Sequence, residues 1–279
     1  MFKGTFMPVF ASSQREAVLC LHSSASSGRQ WDAIAAALSP GHAVLAPPLL
    51  GYGDRAPWPP DRTVTLDDEA AALEPLLDAA HGAVHLLGHS YGGAVALQLA
   101  LRRPEAVASL TLYEPVRFAL LFGDRALAGP GTDIVRVGRA IGALAAAGHT
   151  HAAASRFVDY WSGEGAWSAL SRSRQDAVAA RMTKVRAEFE ALFGDAVPAA
   201  AYAALRMPVR VLRGDASPEP ARAVAARLSA LLPLATLVTL RGGVHMQPVA
   251  KPASVVAALP YWLAATRAAN DSAAAAVAC

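Results

Sequence analysis

Five residues decide how this chain folds: Gly88-His89-Ser90-Tyr91-Gly92. The apolar run at 83–87 comes directly before them and has the pattern of a buried parallel strand. The residues at 91–103 follow with the pattern of a helix, which Pro104 ends. A G-x-S-x-G segment between a strand and a helix predicts a tight, strained turn that lifts the Ser90 hydroxyl out of the sheet edge.

The glycines of this turn have a steric reason. A side chain at position 88 or 92 would collide with the turn, and Gly93 leaves room for close packing of helix against strand. The turn also places Ser90 at the N-terminus of a helix, where backbone N–H groups and the helix dipole favour developing negative charge. Ser90 is therefore the candidate nucleophile, and a chance pentapeptide at an ordinary turn is the competing interpretation.

Strand and helix patterns alternate on both sides of the turn. Further β-rich runs lie at 17–21, 43–46, 109–113, 209–212 and 236–240. Helical patterns lie between them, at 28–38, 66–79, 219–232 and 254–268, the last with an expected kink at Pro260. This alternation predicts an α/β fold with a mostly parallel, doubly wound sheet and right-handed crossovers.

The alternation stops between residues 115 and 206, where no convincing strand occurs. Four helical patterns fill this stretch, at 132–147, 151–161, 171–194 and 199–205. They predict a helical cap inserted between two strands and placed over one end of the sheet. We therefore assign 1–114 and 207–268 to the core and 115–206 to the cap, and we expect a frayed tail at 269–279.

Composition excludes several classes of protein. The chain has 279 residues, of which 54% are hydrophobic and 17% charged, so it buries a core and is not disordered. Its net charge is +3 (25 minus 22) and its basic residues are scattered, which argues against nucleic-acid binding. No apolar run approaches the roughly 18 residues of a membrane span. The two cysteines have neither disulfide nor zinc spacing, and no signal peptide is evident, so we expect a cytoplasmic protein.

A serine is a weak nucleophile until a base takes its proton. His245 is the candidate base, because it follows the strand at 236–240 and two glycines at 242–243 can turn it back toward Ser90. An ordinary loop histidine is the competing interpretation. The other seven histidines fit less well. We expect His89 to point into the fold, His22 to order a loop, and His42 to lie on the surface or in a loop. His149 and His151 form at most half a metal site, since no carboxylate stands near them in sequence.

Two N–H donors must stabilise the oxyanion of an acyl-transfer reaction. The first candidate is the backbone N–H of Tyr91, directly after the nucleophile. The second lies in the small-residue loop at 21–28, where we choose Ser24, with Ser23 as the alternative. The competing interpretation is a flexible serine-rich turn.

Together these residues resemble the α/β-hydrolase superfamily, in particular its capped serine hydrolases. Leu21-His22-Ser23-Ser24 is similar to the family's His-Gly oxyanion motif, with Ser in place of Gly. Gly51-Tyr52-Gly53 is similar to its Gly-x-Gly loop, and Gly243-Val244-His245 to its Gly-x-His base motif. The resemblance runs from about 18 to 263 and implies the α/β-hydrolase fold.

Serine hydrolases of this family also have an acidic residue that orients the catalytic histidine. At this third member of the catalytic triad the sequence departs from the family pattern. The resemblance places an Asp after the strand at 209–213, where this chain has Ser217, with Asp215 two residues early. The family's second location, used by haloalkane dehalogenases, follows the strand after the elbow helix and here holds Glu114. Open α/β sheets place their sites at such carboxyl ends of strands. Glu114 is our choice of acid, and Asp215 is the alternative.

The resulting functional prediction is a serine hydrolase that cleaves carboxylic esters of small or medium apolar substrates through an acyl-enzyme. The alternatives are hydrolysis of a C–C bond in a diketone, lactone or amide hydrolysis, perhydrolysis, and a hydrolase-like binding protein with little turnover. Tyr160, Trp161 and Met246 are the candidates for the substrate pocket, although the cap aromatics would also serve to pack the cap onto the core. We predict no metal and no cofactor. The partner is a small-molecule substrate, and a homodimer through the cap edge or 260–262 stays open.

Overall fold

The computed structural model describes residues 15–55 and 62–264. Its sheet consists of β1 Glu16–Leu21, β2 His42–Leu45, β3 Val84–His89, β4 Val107–Tyr113, β5 Val209–Gly214 and β6 Ala235–Leu240. The strand order is β2-β1-β3-β4-β5-β6, and every neighbouring pair is parallel. The predicted α/β architecture is thereby confirmed.

The central strands have continuous apolar sequences because helices cover both faces of the sheet. All six residues of β3 are buried, whereas β6 at the sheet edge is partly exposed. Among the described residues, seven helices belong to the part of the fold that contains the sheet: α1 Asp32–Leu38, α2 Leu66–Asp78, α3 Tyr91–Arg102, α8 Glu219–Leu231, α9 Gln247–Ala250, α10 Pro252–Ala258 and α11 Tyr261–Ala264. The helical structure is interrupted between α10 and α11 at Pro260, where a kink was expected, because proline has no N–H to continue a helix.

Alternate residues of one strand contribute to different halves of the core, as the two-residue period of a strand requires. Leu19 and Leu21 of β1 belong to the cluster that includes α2, α3 and α8. Val18 and Cys20 belong to the cluster that includes α1 and α10. The sheet is therefore doubly wound, as predicted.

A helical insertion separates β4 from β5, as predicted. It contains α4 Ala128–Ala146, α5 Thr150–Ser162, α6 Arg172–Ala179 and α7 Met182–Phe193, followed by a short 3-10 helix at Ala199–Ala204. The prediction of one helix over 171–194 was wrong. The Arg181 N–H bonds the Val178 carbonyl three residues back, which ends α6, and the Arg181 guanidinium donates to the Ala25 carbonyl at 2.7 Å.

None of the helices in the described ranges has the length and apolar character that crossing a membrane requires. The tail expected at 269–279 lies outside the described residues.

Candidate active site

Ser90 sits at the turn between β3 and α3 in a strained backbone conformation, with φ 54° and ψ −120°. Such a conformation persists only where the surrounding structure holds it. Here the Ser90 N–H donates to the Tyr113 carbonyl at 3.0 Å, and the Ser90 carbonyl accepts from the Gly93 and Ala94 N–H groups. The turn is thus bonded to the neighbouring strand on one side and to the first turn of α3 on the other.

The two glycines of the elbow are sterically required, as predicted. A Cβ on Gly88 would lie 2.6 Å from the Gly93 Cα. A Cβ on Gly92 would run into the carbonyl oxygens of Leu21 and His22 at the end of β1. The turn therefore packs directly on the neighbouring backbone.

The loop after β6 brings His245 to Ser90, with 3.0 Å between His245 Nε2 and Ser90 Oγ. This loop is held by two side chains: the Tyr113 hydroxyl donates to the Val244 carbonyl at 2.8 Å, and His89 Nε2 lies 2.9 Å from the His245 carbonyl. The imidazole is buried. The loop is accordingly anchored on both sides of the candidate base.

Glu114 is the carboxylate that the structure brings to His245. Its Oε2 lies 2.6 Å from His245 Nδ1, and its Oε1 accepts the Gly214 N–H at 2.6 Å. Glu114 is fully buried and has a positive φ of 43° directly after β4. Asp215 is exposed instead, and its Oδ1 accepts the Gly242 N–H at 2.7 Å.

This arrangement assigns the ring protons of His245. The Glu114 carboxylate favours the tautomer with hydrogen on Nδ1, which leaves the Nε2 lone pair facing the Ser90 hydroxyl. Nε2 can then accept the serine proton, and the adjacent carboxylate can stabilise the imidazolium that forms. The three side chains are thus arranged for nucleophilic acyl transfer.

The N–H groups near Ser90 have different partners. The Tyr91 N–H is the first of α3 and has no acceptor within the helix. The Ser23 N–H donates to Gln30 Oε1 at 3.0 Å, and the Ala25 N–H donates to the Tyr52 hydroxyl at 2.9 Å. Ser24 lies between them and lines the same cavity as Ser90. The Ser23 N–H is thus bonded to Gln30, whereas Ser24 lies on the cavity wall beside Ser90.

A hydrogen-bonded chain connects the loop at 21–28 to the loop after β6 that carries His245, and no sequence motif indicates it. Gln30 accepts from Ser23 through its Oε1, and its Nε2 lies 3.2 Å from His89 Nδ1. His89 in turn donates from Nε2 to the His245 carbonyl. Burial holds the pKa of His89 well below its usual range, which keeps the ring neutral and suited to donate at one nitrogen and accept at the other.

The sequence model described as "Alpha/beta hydrolase family" matches residues 18–259, which is most of the chain. The chain is an α/β hydrolase. The resemblance stated from the motifs is confirmed.

Relatives of this hydrolase have several activities. The chain is 44% identical to the lipase LipV of Mycobacterium tuberculosis over 99 residues, which are 35% of this chain and 36% of that protein. It is 33% identical to a haloalkane dehalogenase of Mesorhizobium japonicum over 114 residues, 40% of this chain and 36% of that protein. These matches span little more than a third of either relative's length.

Solved structures share the fold over nearly the whole hydrolase. A hydrolase from Pseudomonas aeruginosa superposes with a TM-score of 0.72 at 23% identity, covering 88% of this chain and 89% of that one. A thermophilic esterase from Thermogutta terrifontis superposes with a TM-score of 0.69 at 20% identity, covering 90% of each chain.

The cavity beside Ser90 is small and mostly apolar in this hydrolase. It has a volume of about 10 Å³, room for about one water molecule. Its other lining residues are Ser24, Val116, Phe118, Phe157, Trp161, Val185, Glu188, Phe189 and Leu192. A wider, open groove of about 780 Å³ runs along 121–139 and is lined by none of Ser90, Glu114 and His245.

Of the three predicted pocket residues, the structure places Trp161 on this cavity. Tyr160 packs edge-on against Trp161, with ring centroids 4.8 Å apart, and its hydroxyl donates to Asp133 at 2.8 Å. Met246 precedes α9 and does not line the cavity.

Three expectations about other side chains have different outcomes. His22 orders its loop, as expected: its Nδ1 bonds the Ser23 carbonyl and its Nε2 accepts the Leu49 N–H. The expectation of an exposed or loop position for His42 was wrong, because His42 is buried at the start of β2. His151 does have a carboxylate nearby, since Asp176 of α6 lies 2.8 Å from its Nε2.

Proposed function

We propose that this α/β hydrolase cleaves carboxylic esters of small or medium apolar substrates through an acyl-enzyme on Ser90. The observation that carries the proposal is the relay of Ser90, His245 and Glu114, with distances of 3.0 and 2.6 Å. The similarity to a lipase and the shared fold of an esterase agree with this activity.

In the first half of the reaction, His245 Nε2 takes the Ser90 proton while Oγ attacks the ester carbonyl. The N–H groups of Tyr91 and Ser24 stabilise the oxyanion, and Glu114 stabilises the imidazolium. Collapse of the tetrahedral intermediate breaks the bond to the alcohol oxygen, which leaves with the proton from His245.

In the second half, water replaces the alcohol. His245 takes a proton from the water as its oxygen attacks the acyl carbonyl. The second tetrahedral intermediate expels Ser90 Oγ, which regains its proton from His245, and the carboxylic acid leaves. The two halves together use Ser90, His245, Glu114, the two backbone N–H groups and one water molecule.

The nucleophile separates this proposal from the activity of the dehalogenase relative. The name of the dehalogenase relative describes removal of halide from an alkyl carbon, whereas this chain has Ser90 at the elbow with His245 beside it. Acyl transfer, not alkyl displacement, is the chemistry that a serine with an adjacent base supports.

Covalent labelling with a fluorophosphonate tests the proposal. We expect one adduct per chain, mapped to Ser90 by peptide mass, and none in the Ser90→Ala variant. Ser217→Ala is the matched control, because Ser217 is also buried and its hydroxyl has no hydrogen-bond partner in the described residues. A folded protein that forms no adduct would contradict the proposal.

Substrate panels then separate the reaction types. We expect turnover of p-nitrophenyl and methyl esters with short acyl chains, all lost in Ser90→Ala. Lactone, amide and diketone substrates are run in parallel, with perhydrolysis measured by adding peroxide. If the protein turns over the lactones, the amides, the diketones or the perhydrolysis substrates faster than every ester, that reaction and not ester hydrolysis is its activity.

A further inference from the structure

A buried carboxylate lies on the wall of the cavity beside Ser90. Glu188 of α7 is 1% exposed and lines this cavity together with Ser24 and Ser90. The remaining lining residues are apolar. Removing a carboxylate from water into such surroundings is costly unless its oxygens are paired, so a functional explanation is needed.

In the described part of the chain, the side-chain hydrogen bond to Glu188 falls on one of its two oxygens. Its Oε1 accepts from the Tyr52 hydroxyl at 2.9 Å and lies 3.5 Å from Lys184 Nζ. The ammonium of Lys184 is closer to Glu69, at 2.6 Å, and Glu69 also accepts from the Tyr91 hydroxyl at 3.2 Å. Two buried carboxylates therefore share one ammonium.

The other oxygen, Oε2, is buried and has no hydrogen-bond partner among residues 15–55 and 62–264. Burial raises the pKa of the Glu188 carboxyl, while the Lys184 ammonium and the Ser24 hydroxyl oppose that rise. A buried acceptor without a partner costs free energy that a donor on a ligand would recover.

We propose that Glu188 sets the substrate specificity of this hydrolase by accepting a hydrogen bond from the group that enters the cavity. The substrate class is then an ester whose short apolar part bears a hydroxyl, amide N–H or ammonium group. This inference rests on the proposed ester hydrolysis. A site with a buried acceptor rejects an isosteric apolar analogue, because that analogue leaves the acceptor unpaired.

Matched ester pairs test the proposal. In the acyl pair, methyl 3-hydroxybutanoate is compared with methyl 3-methylbutanoate, in which a methyl group replaces the hydroxyl. In the alcohol pair, 2-hydroxypropyl butanoate is compared with 2-methylpropyl butanoate. Methyl 3-aminobutanoate supplies the cationic donor. We expect kcat/KM to favour the hydroxyl ester of at least one pair by about 10- to 100-fold.

Variants of Glu188 identify the acceptor. Glu188→Leu should bring the favoured ratio close to one, and Glu190→Gln, an exposed change on the same helix, should leave it unchanged. If Glu188→Leu fails to fold, Glu188→Gln decides, because loss of the charge should lower relative turnover of the amino ester at least about 10-fold.

The outcomes distinguish this inference from the proposed function. Ratios near one in the wild-type protein would overturn the role of Glu188 while ester hydrolysis stands. A hydroxyl preference that survives in folded Glu188→Leu, or unchanged relative turnover of the amino ester in Glu188→Gln, would do the same. Absence of both ester turnover and the Ser90 adduct would instead overturn the proposed function.

A second, independent observation lies at the amino end of the sheet. Glu16, His42 and His85 each point a ligand atom into one cluster, with all these atoms within 4.8 Å of one another. Glu16 is the register neighbour of His42, and His85 pairs with Val18 in β1. Because Glu16 and Val18 share one face of β1, the sheet brings the three side chains together.

Both imidazoles are oriented by their second nitrogen. His42 Nδ1 faces the Leu38 carbonyl at 3.3 Å, and His85 Nδ1 faces the Ser109 hydroxyl at 2.7 Å. The two Nε2 atoms lie 3.9 and 3.4 Å from Glu16 Oε2. His42 Nε2 is buried and has no hydrogen-bond partner among the described residues. Metal-binding histidines are typically oriented in this way.

Two of the three separations are close to the spacing of ligand atoms around a tetrahedral metal ion. Bonds of about 2.0–2.1 Å place neighbouring ligand atoms roughly 3.3 Å apart. The 3.4 Å separation fits this value, and the 3.9 Å separation requires a small shift of Glu16, whose side chain is 63% exposed. We infer that Glu16, His42 and His85 bind one divalent transition-metal ion such as Zn²⁺.

Calorimetry of the full chain, prepared with chelator and dialysed, tests this site. We expect one Zn²⁺ per chain, no heat with Mg²⁺, and a higher melting temperature with Zn²⁺. Co²⁺ should give the absorption of a tetrahedral complex. Glu16→Gln, an exposed change compatible with folding, should weaken binding at least about 10-fold, as should His42→Gln.

The double change His149→Gln and His151→Gln is the matched control, since both residues are exposed and lie outside the cluster. It should leave Zn²⁺ affinity unchanged. Absence of Zn²⁺ binding, or binding of equal strength in Glu16→Gln, would overturn the inference.

Discussion

The indole of Trp161 lies against the imidazole of His245, with ring centroids 4.1 Å apart and planes tilted by 32°. Trp161 belongs to α5 of the helical insertion, whereas His245 belongs to the loop after β6. The insertion therefore contacts the candidate base directly. Phe118 stacks near the same indole at 6.4 Å. Because only about 10 Å³ is open beside Ser90, a substrate must displace part of this aromatic cluster.

Replacing Trp161 should therefore change the size of ester that is accepted. We expect Trp161→Ala to raise kcat/KM for octanoyl relative to acetyl esters by about 10-fold, because removing the indole opens the apolar cavity. The ratio of kcat/KM for octanoyl to acetyl esters in Trp161→Phe should lie between those of the wild type and Trp161→Ala. Trp167→Ala is the matched control, since Trp167 packs against His151 instead of His245. An unchanged chain-length profile in Trp161→Ala would show that the indole does not limit access.

Glu114 should be required for turnover and not for binding. We expect Glu114→Gln to lower kcat by about 10³- to 10⁴-fold with little change in KM, because an amide no longer stabilises the imidazolium or selects the reactive tautomer of His245. Asp215→Asn should retain kcat within about 2-fold, since the Asp215 carboxylate bonds the Gly242 N–H at the surface. Steady-state kinetics measure both variants. An inactive Asp215→Asn beside an active Glu114→Gln would reverse the assignment.

The choice between these two acids shows where sequence reasoning ends. The sequence predicts the strand, turn and helix around Ser90, and it predicts that a histidine later in the chain, His245, serves as the base. Both candidate acids follow strands that end at the same sheet edge, so the sequence left them open. The pairing of β4 with β5 positions one of them: Tyr113 is the register partner of Leu212, and Glu114, the next residue, accepts the Gly214 N–H and lies beside His245.

The sequence does not predict which side chains distant along the chain are brought together by sheet pairing or by helix packing. Glu16, His42 and His85 are distant in sequence and converge because β1, β2 and β3 are neighbours. Glu188 is part of a regular helix pattern, and only the packing of α7 over the core reveals that it lines the cavity. Periodicity predicts which face of an element is buried, but not which polar group that face carries to a site.

A buried ion pair lies within the segment between β4 and β5, and its arginine, Arg117, also donates to Gln98 of α3 in the core. Arg117 donates two parallel hydrogen bonds to the Asp195 carboxylate, from Nε to Oδ2 at 2.7 Å and from Nη2 to Oδ1 at 2.9 Å. Both side chains are almost completely buried. We expect Asp195→Asn to lower the free energy of unfolding by about 3–5 kcal/mol, because it leaves the guanidinium unpaired. Urea denaturation measures the loss.

Two further variants separate this pair from ordinary surface charge. The combined change Arg117→Met and Asp195→Leu should recover most of the stability, since it removes both buried charges. Asp78→Asn, which breaks an exposed pair with Arg103, should cause no measurable change. An Asp195→Asn variant as stable as the wild type would show that the other acceptors of the guanidinium, Gln98 Oε1 and the Ala94 carbonyl, suffice to compensate it.

The stability of the fold should fall between pH 6.5 and pH 4 through His22. Burial lowers the pKa of His22 to about 4, while its ordinary value is 6.5. Between these two pH values His22 takes up a proton in the unfolded chain but stays neutral in the folded protein. Its contribution to the free energy of unfolding is therefore fully present above pH 6.5 and is lost as the pH falls. The share of this loss linked to His22 is about 3 kcal/mol. Urea denaturation at pH 7, 5.5 and 4.5 measures it, and His22→Gln should show a shallower slope; equal slopes would assign the acid sensitivity to other groups.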